Sequence, residues 1–156
     1  MGELSRQEGA VAVGWTRERV ERFLGEYLDT GDSIDFERVR TACNDPFMFC
    51  DPSGARSVAV DALIAALPQR RAFFDTVGLK GVELVSFEDV SLDDRYVLVK
   101  AKLRMTFQAG EAPATDIVLG STYVLFDDGE RPRIVLHLES EDAAEALKAR
   151  GILPAA

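Results

Sequence analysis

The alternation of apolar and polar positions is sharpest between about residues 95 and 108. There Val97, Val99, Ala101, Leu103, Met105 and Phe107 interleave with Leu98, Lys100, Lys102, Arg104, Thr106 and Gln108. A period of two separates a buried face from a mostly wet one, so this stretch predicts a long strand. Residues 82–91 predict a strand before it, and the segment that follows the loop from Ala109 to Asp116 predicts one through about Phe126. Asp127-Asp128-Gly129 then turns the chain into a fourth strand, Arg133 to Glu139. Four consecutive strands predict a strongly bent antiparallel meander.

The first half of the chain has a different period. Val20, Phe23, Leu24, Tyr27 and Leu28 fall on one helical stripe, with Thr16 placed to cap it and Gly31 to close it. Ser33 or Asp35 can cap a shorter helix whose inner face is Phe36, Val39 and Cys43. Residues 61–77 are helical in pattern, and Pro68 predicts a kink or two abutting helices there. Ser140 begins a last helix that runs to Arg150. Residues 1–14 have no periodicity and read as a flexible lead, leaving 15–156 as one domain. The fold class is α+β, with N-terminal helices packed on a strongly curved, mainly antiparallel sheet.

Between the helices lies Pro46-Phe47-Met48-Phe49-Cys50-Asp51-Pro52-Ser53-Gly54, an apolar strand ending in an acid at a tight turn. If the run is extended, Phe47, Phe49 and Asp51 share one side. Asp51 is then a candidate base, its pKa raised by burial beside two rings, or alternatively an acid that bonds its own turn backbone.

Charge narrows the function classes. A formal charge of -9, from 27 acids against 18 bases, disfavours nucleic acid. No apolar run reaches the length of a membrane span, and the first fourteen residues do not read as a secretory signal, so the expected location is cytoplasmic. Cys43 and Cys50 lack the spacing of a zinc site and read as small core residues. His137 is the sole histidine, without a clustered carboxylate, so neither a metal nor another cofactor is expected. Alternation with Ile134, Leu136 and Leu138 turns His137 away from the core. Arg70 and Arg71 are either guards of a cavity mouth or solvated helix charges.

The order of elements, the helix ending Asp29-Thr30-Gly31-Asp32, the turn Asp51-Pro52-Ser53-Gly54 and the long terminal strands together resemble the nuclear transport factor 2-like, or SnoaL-like, superfamily. The resemblance spans about residues 16–139 and implies a cone around an internal cavity. Within that superfamily the turn is distantly similar to the one carrying the general base of ketosteroid isomerases, which places that role on Asp51. The isomerases' oxyanion tyrosine and aspartate fall in register with Leu24 and Thr122. Thr122 offers a weak donor, and Tyr27, one turn beyond Leu24, offers a hydroxyl.

The implied pocket is apolar, lined by Phe23, Phe47, Phe49, Leu63, Leu67, Phe74, Leu103 and Met105. A small nonpolar ligand and an isomerase-, cyclase- or dehydratase-type reaction follow from the resemblance. The alternative is a noncatalytic binding or interaction module. The resemblance also implies a homodimer through the outer sheet face.

Overall fold

The computed structural model describes residues 14–29 and 34–152. Gly31, Ser33 and all but the last residue of the 1–14 lead lie outside the described residues. Helix α1 (Arg17–Leu28) starts where Thr16 accepts a hydrogen bond from the Arg19 amide, and α2 (Phe36–Ala42) starts where Asp35 accepts one from Arg38. Strand β1 (Cys43–Asp51) follows α2 directly. Cys43 therefore leads the strand and does not end the helix.

The turn after Asp51 leads into β2 (Gly54–Val58), a strand that the sequence pattern does not signal. Its Ala55, Arg56 and Ser57 are exposed and carry no buried alternation to signal it. Helix α3 (Val60–Thr76) is one continuous element with Pro68 inside it, which overturns the expectation of two abutting helices. Pro68 lies on the exposed side, where water can take over a lost backbone bond.

Gly78 closes this segment with φ +83°, and a Cβ there would overlap the Gln108 carbonyl, so the joint requires glycine. Strands β3 (Leu79–Ser91), β4 (Tyr96–Phe107), β5 (Thr115–Asp127) and β6 (Pro132–Glu139) form the expected antiparallel meander. Helix α4 (Ala143–Ala149) is capped by Asp142, which accepts from the Ala144 and Glu145 amides; Ser140 lies outside it.

The sheet has six strands in the order β2-β1-β6-β5-β4-β3. β1 lies parallel to β6, a long-range pairing that hydrophobic periodicity cannot reveal. The helices pack against the curved, mainly antiparallel sheet, an α+β arrangement.

Three buried groups hold these layers together. Val20 and Leu24 of α1 pack with Phe87, Val97, Val99, Leu125 and Ile134 on the sheet. Phe74, Phe107, Ile117 and Leu147 join α3, β4, β5 and α4. Cys43, Phe47 and Val60 join β1 to the start of α3. Each fully buried aliphatic side chain stabilises the fold by roughly 1.5–3 kcal/mol.

Polar contacts fasten the start of α1 to the same sheet. Arg19 reaches Asp127 at 2.5 Å, and Trp15 Nε1 donates to the Arg95 carbonyl at 3.0 Å. Asp127 is 4% exposed, so its carboxylate depends on that guanidinium.

Candidate functional site

The three buried groups leave a cavity of about 340 Å³ between them. Leu63, Leu67, Arg70, Arg71 and Phe74 line it from α3, at the three- and four-residue spacing that puts them on one helix face. Leu103 and Met105 come from β4, Leu119, Ser121 and Tyr123 from β5, and Phe47 and Phe49 from β1. Tyr27 enters from α1. Of the eight pocket residues expected from sequence, seven line this cavity. Phe23 does not: its ring packs edge-on against Trp15, with centroids 6.2 Å apart, beside the α1 core group.

Strand β6 contributes Ile134, His137 and Glu139. Strict alternation cannot place Ile134 and His137 on one face, because they are three residues apart. A bulge resolves this. Leu125 pairs with Ile134 but Val124 pairs with Leu136, so Val135 is an extra residue that shifts the phase. The expectation that His137 faces outward is therefore corrected.

The His137 ring stacks on Tyr123 at 4.6 Å between centroids and meets the Phe49 ring edge-on at 5.5 Å. Its Nε2 atom is buried and has no hydrogen-bond partner among the described residues. Burial, with a smaller contribution from the Arg70 charge, pushes its pKa down to about 4. The imidazole is thus neutral at ordinary pH.

Burial shifts the neighbouring groups too. Tyr123 is pushed up to about 12, and Tyr27 is raised well above the usual phenol range, by burial first and then by Cys43. Both phenols stay protonated. Burial also raises the Cys43 thiol to about 11, which removes it as a nucleophile. Glu139 is raised by burial, against an opposing pull from Arg70. Arg70, whose guanidinium lies 5.3 Å from the Phe74 ring centroid, acts electrostatically on Tyr27, Tyr123, His137 and Glu139 together.

Asp51 has a different environment. It is not among the cavity-lining residues. Its Oδ1 accepts from the Ser53 amide at 2.9 Å and the Ser53 hydroxyl at 2.6 Å, and Arg56 approaches at 3.6 Å. The Ser53 hydrogen bonds hold its pKa below the usual carboxylate value, opposite to the rise expected from burial. Thr122 pairs with Lys100 and Leu138 on the outer side of the sheet, while Ser121 and Tyr123 point inward. Of the three residues given catalytic roles by resemblance, only Tyr27 reaches the cavity.

The period-two run Ile117, Leu119, Ser121, Tyr123 and Leu125 carried the signal for the β5 contribution. The family register placed the role one residue away, at Thr122. Among the described residues no group of three or more His, Cys, Asp or Glu side chains could hold a metal ion, and no helix is long and apolar enough to cross a membrane.

No protein-family model and no curated protein matches the sequence. Solved structures do match this arrangement. An NTF2-like protein with a cystatin-like fold from Novosphingobium aromaticivorans superposes with a TM-score of 0.63 at 14% identity, covering 98% of this chain and 96% of that one. The chain has the NTF2-like fold. The Kfla4162 protein from Kribbella flavida is similar at 18% identity and a TM-score of 0.61, over 83% of this chain and 96% of its own. An NTF2-like protein from Cytophaga hutchinsonii matches at 17% and 0.56, over 82% and 100%. At such identities the NTF2-like likeness is one of fold, and function has to be argued from the cavity.

Proposed function

We propose that this NTF2-like chain binds a small, mainly apolar molecule in its central cavity. The carrying observation is that leucine, methionine and phenylalanine side chains from α3, β4 and β1 line much of that cavity, alongside polar groups that include Arg70, Tyr123, His137 and Glu139. Apolar walls with a few convergent polar groups suit a ligand that is held by shape and oriented by one or two hydrogen bonds.

The test is a thermal-shift screen of polycyclic ketones, terpenoids, aromatic acids and lactones. A ligand bound only by the folded state raises the Tm. Leu119→Trp, which fills the cavity, should abolish any shift. A library that leaves the wild-type melting curve unmoved defeats this reading. An isomerase-, cyclase- or dehydratase-type activity would draw on the groups that line this cavity, with Tyr27 as a donor, and is tested by assaying turnover on any ligand the screen returns.

A second reading has its own observation. Val90, Leu98, Val124, Leu136 and Met48 pair strand to strand in an apolar row across the outer face of the sheet. Val90 is 51% and Met48 38% exposed. A second copy of the chain is the occupant we favour for this row, giving a homodimer. Sedimentation should then return a dimer mass for wild type and a monomer mass for Val124→Glu; a wild-type monomer at micromolar concentration refutes it.

A further inference from the structure

The cavity face of α3 carries a charge where its pattern calls for an apolar residue. Leu63, Leu67, Arg70 and Phe74 follow one another at three- and four-residue spacing, so they share one helix stripe, and all four line the cavity. A solvated helix charge belongs on the opposite face. Arg70 is an exposed residue that also lines the cavity, which puts it at the rim and open to what enters. Its guanidinium lies over the Phe74 ring, one turn along, and that cation–π contact limits where it can point.

The other arginines of the lining have carboxylate partners. Arg38 meets Asp35 at 3.6 Å and Asp29 at 3.9 Å, and Arg71 meets Asp75 at 3.7 Å. Arg70 makes no hydrogen bond or ion pair among the described residues. Its charge nevertheless reaches across the cavity, to Tyr27 of α1, Tyr123 of β5, and His137 and Glu139 of β6.

Glu139 and Glu141 also line the cavity and oppose an anion. Glu141 is exposed, where water and salt screen it. Glu139 is half-buried, and burial raises its pKa, so it gives up its charge more readily than an ordinary carboxylate; a guanidinium cannot give up its own. The fixed, unpaired charge on the lining is therefore positive. One guanidinium with two acids nearby suits a single negative charge better than a dianion such as a phosphate monoester.

We propose that Arg70 binds the carboxylate of an amphipathic monocarboxylic acid whose apolar body lies in the cavity. The inference rests on the binding reading above and names the ligand class: aromatic or aliphatic acids held by the head group at the rim. The planar guanidinium offers a fork of N–H donors to the two carboxylate oxygens. Leu63, Leu67, Phe74, Leu103 and Met105 hold the body.

Three naphthalene derivatives of similar size separate the possibilities: 2-naphthoate, the uncharged 2-acetylnaphthalene, and the cation 2-naphthylmethylammonium. Affinities are measured by calorimetry on wild type, on Arg70→Gln, and on Arg104→Gln. Arg104 pairs with Glu83 on the outer face of the sheet, so its variant removes the same charge away from the cavity. Arg70 is exposed, and its substitution leaves the core intact.

The carboxylate is expected to bind wild type about five- to tenfold more tightly than the ketone, between the effect of an exposed ion pair and that of a buried charged hydrogen bond. That preference should vanish in Arg70→Gln with ketone affinity retained, and should persist in Arg104→Gln. Equal binding of carboxylate and ketone in wild type, or a preference that survives Arg70→Gln, overturns the role of Arg70 and leaves the apolar-ligand reading standing. A preference lost equally in Arg104→Gln overturns it in favour of overall charge. Tightest binding of the cation overturns it in favour of Glu139. If none of the three binds, both this inference and the reading beneath it fail.

Discussion

Asp51 and His137 lie close together on neighbouring strands, since Phe49, two residues before Asp51, pairs with His137 across β1 and β6. Their surroundings are nevertheless opposite. The Asp51 carboxylate is satisfied within its own turn by Ser53, and those bonds stabilise its charge. His137 is packed between rings, its charge disfavoured and one nitrogen unpaired. Capacity for binding or chemistry follows from unmet hydrogen bonds and desolvation rather than from residue type. A locally satisfied carboxylate has little left to offer a ligand.

The comparison breaks most severely if the support under His137 is removed. Tyr123 is 1% exposed, and Tyr123→Ala should cost about 3–5 kcal/mol of stability in urea melts, the range for deleting a large buried ring. With the stacked ring gone and water admitted, the His137 pKa should rise towards 6.5, read from its imidazole resonances. An unchanged pKa in that variant would mean that Tyr123 is not what keeps the imidazole dry.

Acid should separate the two residues next. His137 titrates at about 4 in the fold and near 6.5 in the unfolded chain, so the unfolded state takes the proton first as pH falls. Stability is therefore lost progressively from about pH 6.5 to about pH 4, by on the order of 3 kcal/mol from this group alone. Glu139 contributes with the opposite sign, because its raised folded pKa makes the protonated form easier to keep buried. The lowered pKa of Asp51 gives stability that is present above the unfolded carboxylate pKa and lost as pH falls through the folded value, a lower window. The difference between wild type and His137→Phe isolates the histidine, and that difference should be flat above pH 7. A slope that His137→Phe leaves intact would assign the acid sensitivity elsewhere.

Arg70→Gln should have a smaller effect of the same kind. Burial is the larger cause of the His137 shift and Arg70 the lesser, so the variant should move the histidine pKa upward but stop short of 6.5. Titration by NMR checks this. A full return to 6.5 would make Arg70, not burial, the controlling cause.

Much of the fold was legible because its signals are local. The alternation along β4, the stripe Val20 to Leu28, and the caps at Thr16 and Asp35 each need only a short window. The apolar wall drew on the same patterns together with the cavity that the resemblance implies, as Leu63, Leu67, Phe74, Leu103 and Met105 show. The polar groups of β5 and β6 were not legible. His137 faces inward because a single unpaired residue, Val135, shifts the phase of β6, and a bulge is a property of two paired strands. The parallel pairing of β1 with β6 likewise joins segments about ninety residues apart and leaves no mark on either sequence. At Thr122 the family register points to the outer face, one residue away from Ser121 and Tyr123, which line the cavity.

The smallest effect is expected at the residue that the turn motif had made most prominent. In Asp51→Asn the amide oxygen can still accept from the Ser53 amide, and the attraction lost to Arg56 at 3.6 Å is that of a long, partly exposed pair, which is weak. Ligand affinity in the thermal-shift and calorimetric assays should be unchanged within error, and the melting temperature should move by no more than a surface substitution usually does. The same variant also tests the isomerase analogy. A general base must touch the proton it removes, and a carboxylate outside the cavity lining cannot reach a ligand inside it. If Asp51→Asn abolished turnover of a bound ligand while leaving its affinity intact, the turn would have to swing inward on binding, and the contrast with His137 would be one of the unliganded state alone.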